Sequence, residues 1–322
     1  MASSTSSFKE RSLCVFLLAA LLVAGVVALN HRTPDPVHTA EQAKEQFWRH
    51  KVHALPAHSF NIVASGDSRV YRGLSPDILE KQLHDMTAIN YGFSSGGHNP
   101  FMFQQIENLL VKDGTRVIIL GITPASLTPK NQKNEAYDDY FRKGPGSVLE
   151  RAEDVFYPMD SKRLKQVFLG QDPKPDNTRY EYLDNGYMRS DWLKHDPAAE
   201  LPIFETYFDG NKVDQRVIDG LMDQTRKWTG QHINVIAYRP PTTPEMEAVE
   251  LKHSGFNEKS FIEQFRQNGG IWINLKSGVK RSYGYESYDG SHLTPESADH
   301  LSKNIAGNLR NIGCRFHPDR LC

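Results

Sequence analysis

Cysteine is scarce in this chain, with three in 322 residues and no Cys-x-x-Cys pair. No His-Glu-x-x-His stretch occurs, although there are thirteen histidines, so no metal centre of familiar spacing is offered. Basic runs are absent and the formal net charge is −1, which leaves no positive field for a nucleic acid. Neither metal nor cofactor is expected. Cys14 lies in an apolar stretch. Cys314 and Cys322 are close enough in sequence for a small disulfide loop, or for two free thiols on a C-terminal tail. The remaining composition is that of a globular protein with one sizeable core and room for an insertion.

One long apolar run is present, from Leu13 to Leu29, behind Lys9 and Arg11. As a helix rising about 1.5 Å per residue it just reaches across a hydrocarbon core. Basic residues ahead of it favour a cytoplasmic N-terminus, with the rest of the chain outside. The preferred reading is an uncleaved anchor, because the run exceeds most signal-peptide apolar cores. A cleaved signal peptide, with Val26 and Ala28 at the cleavage site, is the alternative. Either reading exports the domain, and no cysteine at the end of the run marks a lipoprotein. Residues 1–30 are read as cytoplasmic tail and anchor, 31–58 as a polar tether with a helix near 41–50, and 59–322 as the folded domain.

From residue 60 strands and helices alternate. Strands are expected at 60–65, 87–93, 116–121, 233–238 and 271–275, and helices at 76–86, 99–112, 243–251, 258–267 and 294–311. Ser75-Pro76, Asn99-Pro100 and Thr294-Pro295 pair a capping residue with a proline at the first helical position. Residues 125–225 break the rhythm and read as an irregular insertion, with helical pieces near 146–156 and 214–229. The alternation implies an α/β fold with a mostly parallel sheet and helices on both faces. Working residues then gather at the carboxyl ends of the strands.

Two short motifs carry chemistry. Gly66, Asp67 and Ser68 follow the first apolar strand, where Gly66 permits a tight turn and Ser68 sits at a helix start. Far downstream, Asp289 and His292 stand three apart just before a capped helix. A serine needs a base to become a nucleophile, and the base needs an acid to fix its tautomer. Each motif alone reads as a turn with a cap; together they supply all three groups.

With Gly66-Asp67-Ser68 after the first strand and Asp289-x-x-His292 near the C-terminus, the chain resembles the SGNH/GDSL hydrolases over residues 60–312. The resemblance implies a three-layer αβα sandwich with a five-stranded sheet. It also implies Ser68 as nucleophile, His292 as base and Asp289 as its orienting carboxylate. The family's second block donates a glycine N–H to the oxyanion, for which Gly92 is the candidate beside the Ser68 N–H. Its third block supplies an asparagine, but Gly121-Ile122-Thr123-Pro124 has none, and Asn99 is the substitute considered. Arg69 and Arg72, adjacent to the nucleophile, are candidates to bind an anionic substrate or to pair with Asp67. Arg239, after the fourth strand, is a candidate for the mouth of the site or a surface ion pair. Arg69 and Arg239 are taken as the substrate-binding residues. An N-terminal anchor with an altered third block resembles proteins that acetylate cell-surface polysaccharides, of the alginate acetylation and teichoic acid D-alanylation types. That implies a bacterial inner-membrane protein with its domain in the periplasm or outside. It also implies a polysaccharide substrate and a membrane-bound O-acyltransferase as partner. A non-catalytic polysaccharide-binding scaffold and a general envelope esterase or lipase are the alternatives.

Overall fold

The structure, a computed structural model, describes residues 36–143, 178–276 and 284–316. The apolar run at 13–29, the helix expected near 146–156 and the Cys314–Cys322 bridge lie outside the described residues. Among those residues no helix is long and apolar enough to cross a membrane. Phe47–Arg142 with Asp176–Cys322 forms one compact unit, and Met1–Gln46 with Lys143–Pro175 another. The first contains the sheet and its flanking helices.

Among the described residues the strands are β1 (Ile62–Ser65), β2 (Ala88–Asn90), β3 (Val117–Gly121), β4 (Thr178–Tyr182), β5 (Met188–Trp192), β6 (Asn234–Tyr238) and β7 (Ile271–Ile273). The helices are α1 (Pro36–Arg49), α2 (Ser68–Tyr71), α3 (Pro76–Leu83), α4 (Pro100–Leu109), α5 (Glu135–Lys143), α6 (Leu201–Tyr207), α7 (Gln215–Gly230), α8 (Pro244–Ser254), α9 (Glu258–Gln267) and α10 (Pro295–Phe316). Five strands form one sheet in the order β2-β1-β3-β6-β7, every pair parallel.

Alternation along the strands assigns two cores. Ile62, Ala64, Val117, Ile119 and Ile236 face α3 and α10, where Leu79, Leu83, Leu301 and Ile305 meet them. Val63, Ile118, Leu120 and Val235 face α4, α7 and α9, where Ile106, Leu221, Trp228 and Phe265 meet them. Each such aliphatic side chain contributes about 1.5–3 kcal/mol relative to exposure. Both faces are covered, so β1 and β3 are buried at every position. Asn99 and Thr243 cap α4 and α8 through their side chains. Ser75 makes no side-chain cap; its N–H instead donates to Ser302 Oγ on α10 at 2.9 Å.

The described parts of the segment 125–225 hold more regular structure than its composition suggests. They include the antiparallel hairpin β4–β5, and α6 and α7. The segment read as tether also joins the fold: Phe47 and Trp48 are buried in the core. Beyond them the Lys51 ammonium lies among the rings of Phe47, Trp48, Tyr71 and Phe93 and donates to the carbonyls of Gly92 (2.6 Å) and Gly186 (2.9 Å).

Candidate active site

The strand order makes the chain reverse direction between β1 and β3, and crevices open at such a switch point beyond the carboxyl ends of the strands. The loop after β1 carries Ser68. Gly66 turns there at φ +154°, and a Cβ on it would sit 2.5 Å from Val70 Cγ2 and 2.9 Å from the Gly121 carbonyl. Only glycine lets the chain leave the strand this close to β3. Asp67 caps α2, its carboxylate accepting the Arg69 N–H at 3.0 Å and the Thr123 hydroxyl at 2.5 Å. The third-loop threonine therefore braces the nucleophile turn. Ser68 is half-buried, within reach of solvent.

The loop before α10 brings the partners. Gly290 turns at φ +94°, where a Cβ would meet the Pro197 carbonyl at 2.3 Å. That turn folds Asp289 back on its successors: one carboxylate oxygen accepts the N–H groups of Ser291 (2.8 Å) and His292 (2.7 Å). The other lies 2.7 Å from His292 Nδ1. Burial opposes ionisation of Asp289, but the imidazole and these N–H groups outweigh it and hold the carboxyl below the usual range. An ionised carboxylate only accepts, so Nδ1 carries the proton and Nε2 is the acceptor. Ser68 Oγ is 2.9 Å from Nε2, positioned to donate. Burial first, then the Arg72 guanidinium, pushes the His292 pKa down to about 4, so the ring is neutral at pH 7. The Tyr288 ring lies parallel to it, with centroids 5.9 Å apart.

A proton acceptor of this kind gives a defined pH profile. Below its pKa the imidazole is protonated and cannot take the Ser68 proton. Any Ser68-dependent turnover is therefore expected to be flat from pH 6 to 8 and to fall tenfold per unit below an acid limb near 4, read from kcat/KM against pH.

His98, buried with Nε2 lacking a protein acceptor, is also pushed down to about 4 by burial. Both histidines stay neutral in the fold, whereas the unfolded chain takes up protons below about 6.5. Each thus withdraws about 3 kcal/mol of stability as pH falls from 6.5 to 4. Burial raises the Asp67 and Glu200 carboxyl pKa values, and these groups work in the opposite sense. The expected result is a denaturation free energy that drops on acidification, with a shallower slope in His98→Asn; an unchanged slope contradicts the assignment.

The remaining expected site residues are placed otherwise. The Gly92 N–H donates to Asn90 Oδ1 at 3.1 Å, and its carbonyl takes the Lys51 ammonium. The Asn99 amide is committed as a helix cap and as a donor to the Gln132 carbonyl at 2.6 Å. The Gly92 N–H is thus occupied, and Asn99 has one amide N–H engaged and one left over. Among the described residues the N–H groups of Ser68 and Ser94 lack protein acceptors, and the Ser94 loop is held to the turn by the Phe93 N–H on the Gly66 carbonyl (3.0 Å).

Arg69 and Arg239 are buried rather than lining a substrate surface. They flank the fully buried Glu250 on α8, with nitrogen–oxygen distances of 2.7 Å and 2.9 Å, and Arg239 also reaches Glu258 at 3.0 Å. Arg69 Nε donates to Ser291 Oγ at 3.0 Å, linking the residue after Ser68 to the turn between Asp289 and His292. Both arginines thus position the loops. Among the described residues no cluster of three His, Cys, Asp or Glu side chains is arranged to hold a metal ion.

No family model and no curated protein matches the chain. Among solved structures it is similar to a carbohydrate acetylesterase from Sinorhizobium meliloti, at 10% identity over 79% of this chain and 100% of that one, TM-score 0.40. It is similar to a G-D-S-L family protein from Desulfitobacterium hafniense at 11% identity over 77% and 99%, TM-score 0.37. An aryl esterase from M. smegmatis gives 12% over 79% and 99%, TM-score 0.35. Likenesses this distant carry no functional weight, and the chemistry stands on the site itself.

Proposed function

We propose that this chain is a serine-dependent carboxyl-ester enzyme acting through an acyl-enzyme. The observation that carries the reading is the continuous chain of hydrogen bonds from Ser68 Oγ through His292 to Asp289. In the first half-reaction the Ser68 oxygen attacks the ester carbonyl carbon while His292 Nε2 takes its proton. The tetrahedral oxyanion is met by the Ser68 N–H at the start of α2. The alcohol leaves with the proton from His292. In the second half-reaction an incoming hydroxyl gives its proton to His292 and attacks the acyl carbon. Ser68 is then released and takes that proton back. Asp289 keeps the imidazole in the required tautomer throughout.

Water as the incoming hydroxyl makes the protein an esterase, and a sugar hydroxyl makes it an O-acyltransferase. In the finer reading an exported, membrane-anchored protein transfers acetyl to, or removes it from, a cell-surface polysaccharide beside a membrane-bound O-acyltransferase. Its support is the apolar run at 13–29 and the resemblance of the motifs. The occupied N–H of Gly92 favours the alternative of a non-catalytic polysaccharide-binding protein, and a general envelope esterase or lipase is the other alternative. Incubation with p-nitrophenyl acetate, with and without O-deacetylated polysaccharide, separates these readings. Saturable release of nitrophenol is expected, and acetyl appearing on the polymer marks transfer. No turnover above the Ser68→Ala background contradicts the proposal.

A further inference from the structure

Arg72 lies one turn beyond Ser68, its N–H bonded to the Ser68 carbonyl at 3.0 Å. Its guanidinium has only uncharged partners. Nε donates to the Tyr71 hydroxyl at 3.3 Å and Nη1 to the Tyr288 hydroxyl at 3.0 Å, and the rings of Tyr71 and Tyr180 lie 5.4 Å and 5.8 Å from Cζ. Nη2 has no acceptor among the described residues and is not sealed from solvent. Its neighbours differ: Arg69 and Arg239 each have a carboxylate, and Arg189 has Asp299. A half-buried cation held by phenols has no carboxylate in direct contact, and Glu200 acts on it only at longer range.

The position of that charge matters. Tyr288, which accepts from Nη1, is the ring stacked on His292, so the guanidinium stands one phenol away from the imidazole. Ser190 Oγ lies 2.9 Å from the same Tyr288 hydroxyl, and Trp192 packs on its ring, so the β4–β5 hairpin fixes this wall. Tyr180, on the same hairpin, is 40% exposed beside the cation. The nearby Glu200 carboxylate makes no ion pair with Arg72 among the described residues, so the Nη2 edge stays open.

We propose that Arg72 is the anion subsite of the active site, and that the ester this protein handles carries a carboxylate or phosphate close to the reacting acyl group. The inference rests on the ester-enzyme reading and deepens it. A planar guanidinium with a free Nη2 edge suits an oxyanion of either kind, and the exposed Tyr180 ring offers a flat face to the body of a sugar. Arg72 also influences His292, so a change there alters turnover of every ester; the readout is therefore the ratio between substrates.

The test compares O-acetylated glucuronic acid, O-acetylated glucose 6-phosphate and O-acetylated glucose as substrates for wild type, Arg72→Lys and Arg72→Gln. Wild type is expected to prefer one or both anionic esters. Arg72→Gln should lower that preference by roughly 10- to 100-fold, and Arg72→Lys should keep part of it. Preference for the uronate alone assigns a carboxylate, and preference for the phosphate alone assigns a phosphate. In parallel, calorimetry titrates folded Ser68→Ala and Ser68→Ala/Arg72→Gln with glucuronate, inorganic phosphate and glucose, with anion binding expected only where Arg72 is present. If wild type cleaves none of the esters but Ser68→Ala binds an anion through Arg72, the ester-enzyme reading fails and the subsite stands. If the three esters are cleaved equally, and Arg72→Gln slows all of them equally without loss of anion binding, the subsite is overturned and the ester-enzyme reading stands.

Discussion

Ser68→Ala is expected to lower kcat for a simple acyl ester by about 10⁴- to 10⁶-fold, the range for removing the nucleophile of such a unit. Adding His292→Ala should cost almost nothing more. Every proton that the imidazole moves, from Ser68, to the leaving alcohol and from the incoming hydroxyl, belongs to the acyl-enzyme route that begins at its 2.9 Å contact with Ser68, so without the hydroxyl that route is already closed. Strict additivity of the two losses, measured in one assay on folded protein, would show that the groups act separately. Ser68 is half-buried and its side chain is bonded to His292, so stability should change by about 1 kcal/mol or less and the loss reads as chemistry.

Glu250→Ala has the second largest expected effect, on stability first. Its carboxylate is fully buried between Arg69 and Arg239, which are themselves buried. With Glu258 the four groups form a neutral set of two cations and two anions. Deleting Glu250 leaves two guanidinium groups in a dry site with one half-exposed carboxylate, a loss of about 3–5 kcal/mol by comparison with other broken buried pairs. Glu258→Ala removes the more exposed partner and should cost about 1 kcal/mol or less. Chemical denaturation of both variants checks the contrast. Turnover should also suffer in Glu250→Ala well below its unfolding midpoint, because Arg69 then loses the anchor from which it holds Ser291.

Much of this was legible in the sequence where a signal is local. Val-Ile-Ile-Leu at 117–120 announces a strand buried on both faces, and it lies at the sheet's centre. The meeting of Gly66-Asp67-Ser68 with Asp289-x-x-His292 could be anticipated because one chemistry needs both. Partners that depend on three-dimensional neighbours could not be read. Nothing near Arg69 in sequence announces that Glu250 will be buried against it, so an arginine beside a serine reads as substrate-binding. The engagement of the Gly92 N–H by Asn90 and of an Asn99 N–H by Gln132 was equally unreadable, because the fold of the loops sets those acceptors. The β4–β5 hairpin had a signal that went unused. Asn185-Gly186 sits between two alternating stretches, a strong hairpin mark, with Gly186 at φ +78°. The polar, exposed face of β4 hid it within a segment that reads as irregular.

The central claim is that the Ser68 hydroxyl is a nucleophile activated by His292. The measurement that tests it most directly is reaction of the folded protein with a serine-reactive fluorophosphonate, followed by peptide mapping by mass spectrometry. A single adduct on Ser68 is predicted, formed at a rate that falls with pH along an acid limb near 4 and is lost in His292→Ala. An unmodified Ser68, or labelling of that residue at equal rate without the imidazole, would contradict the account.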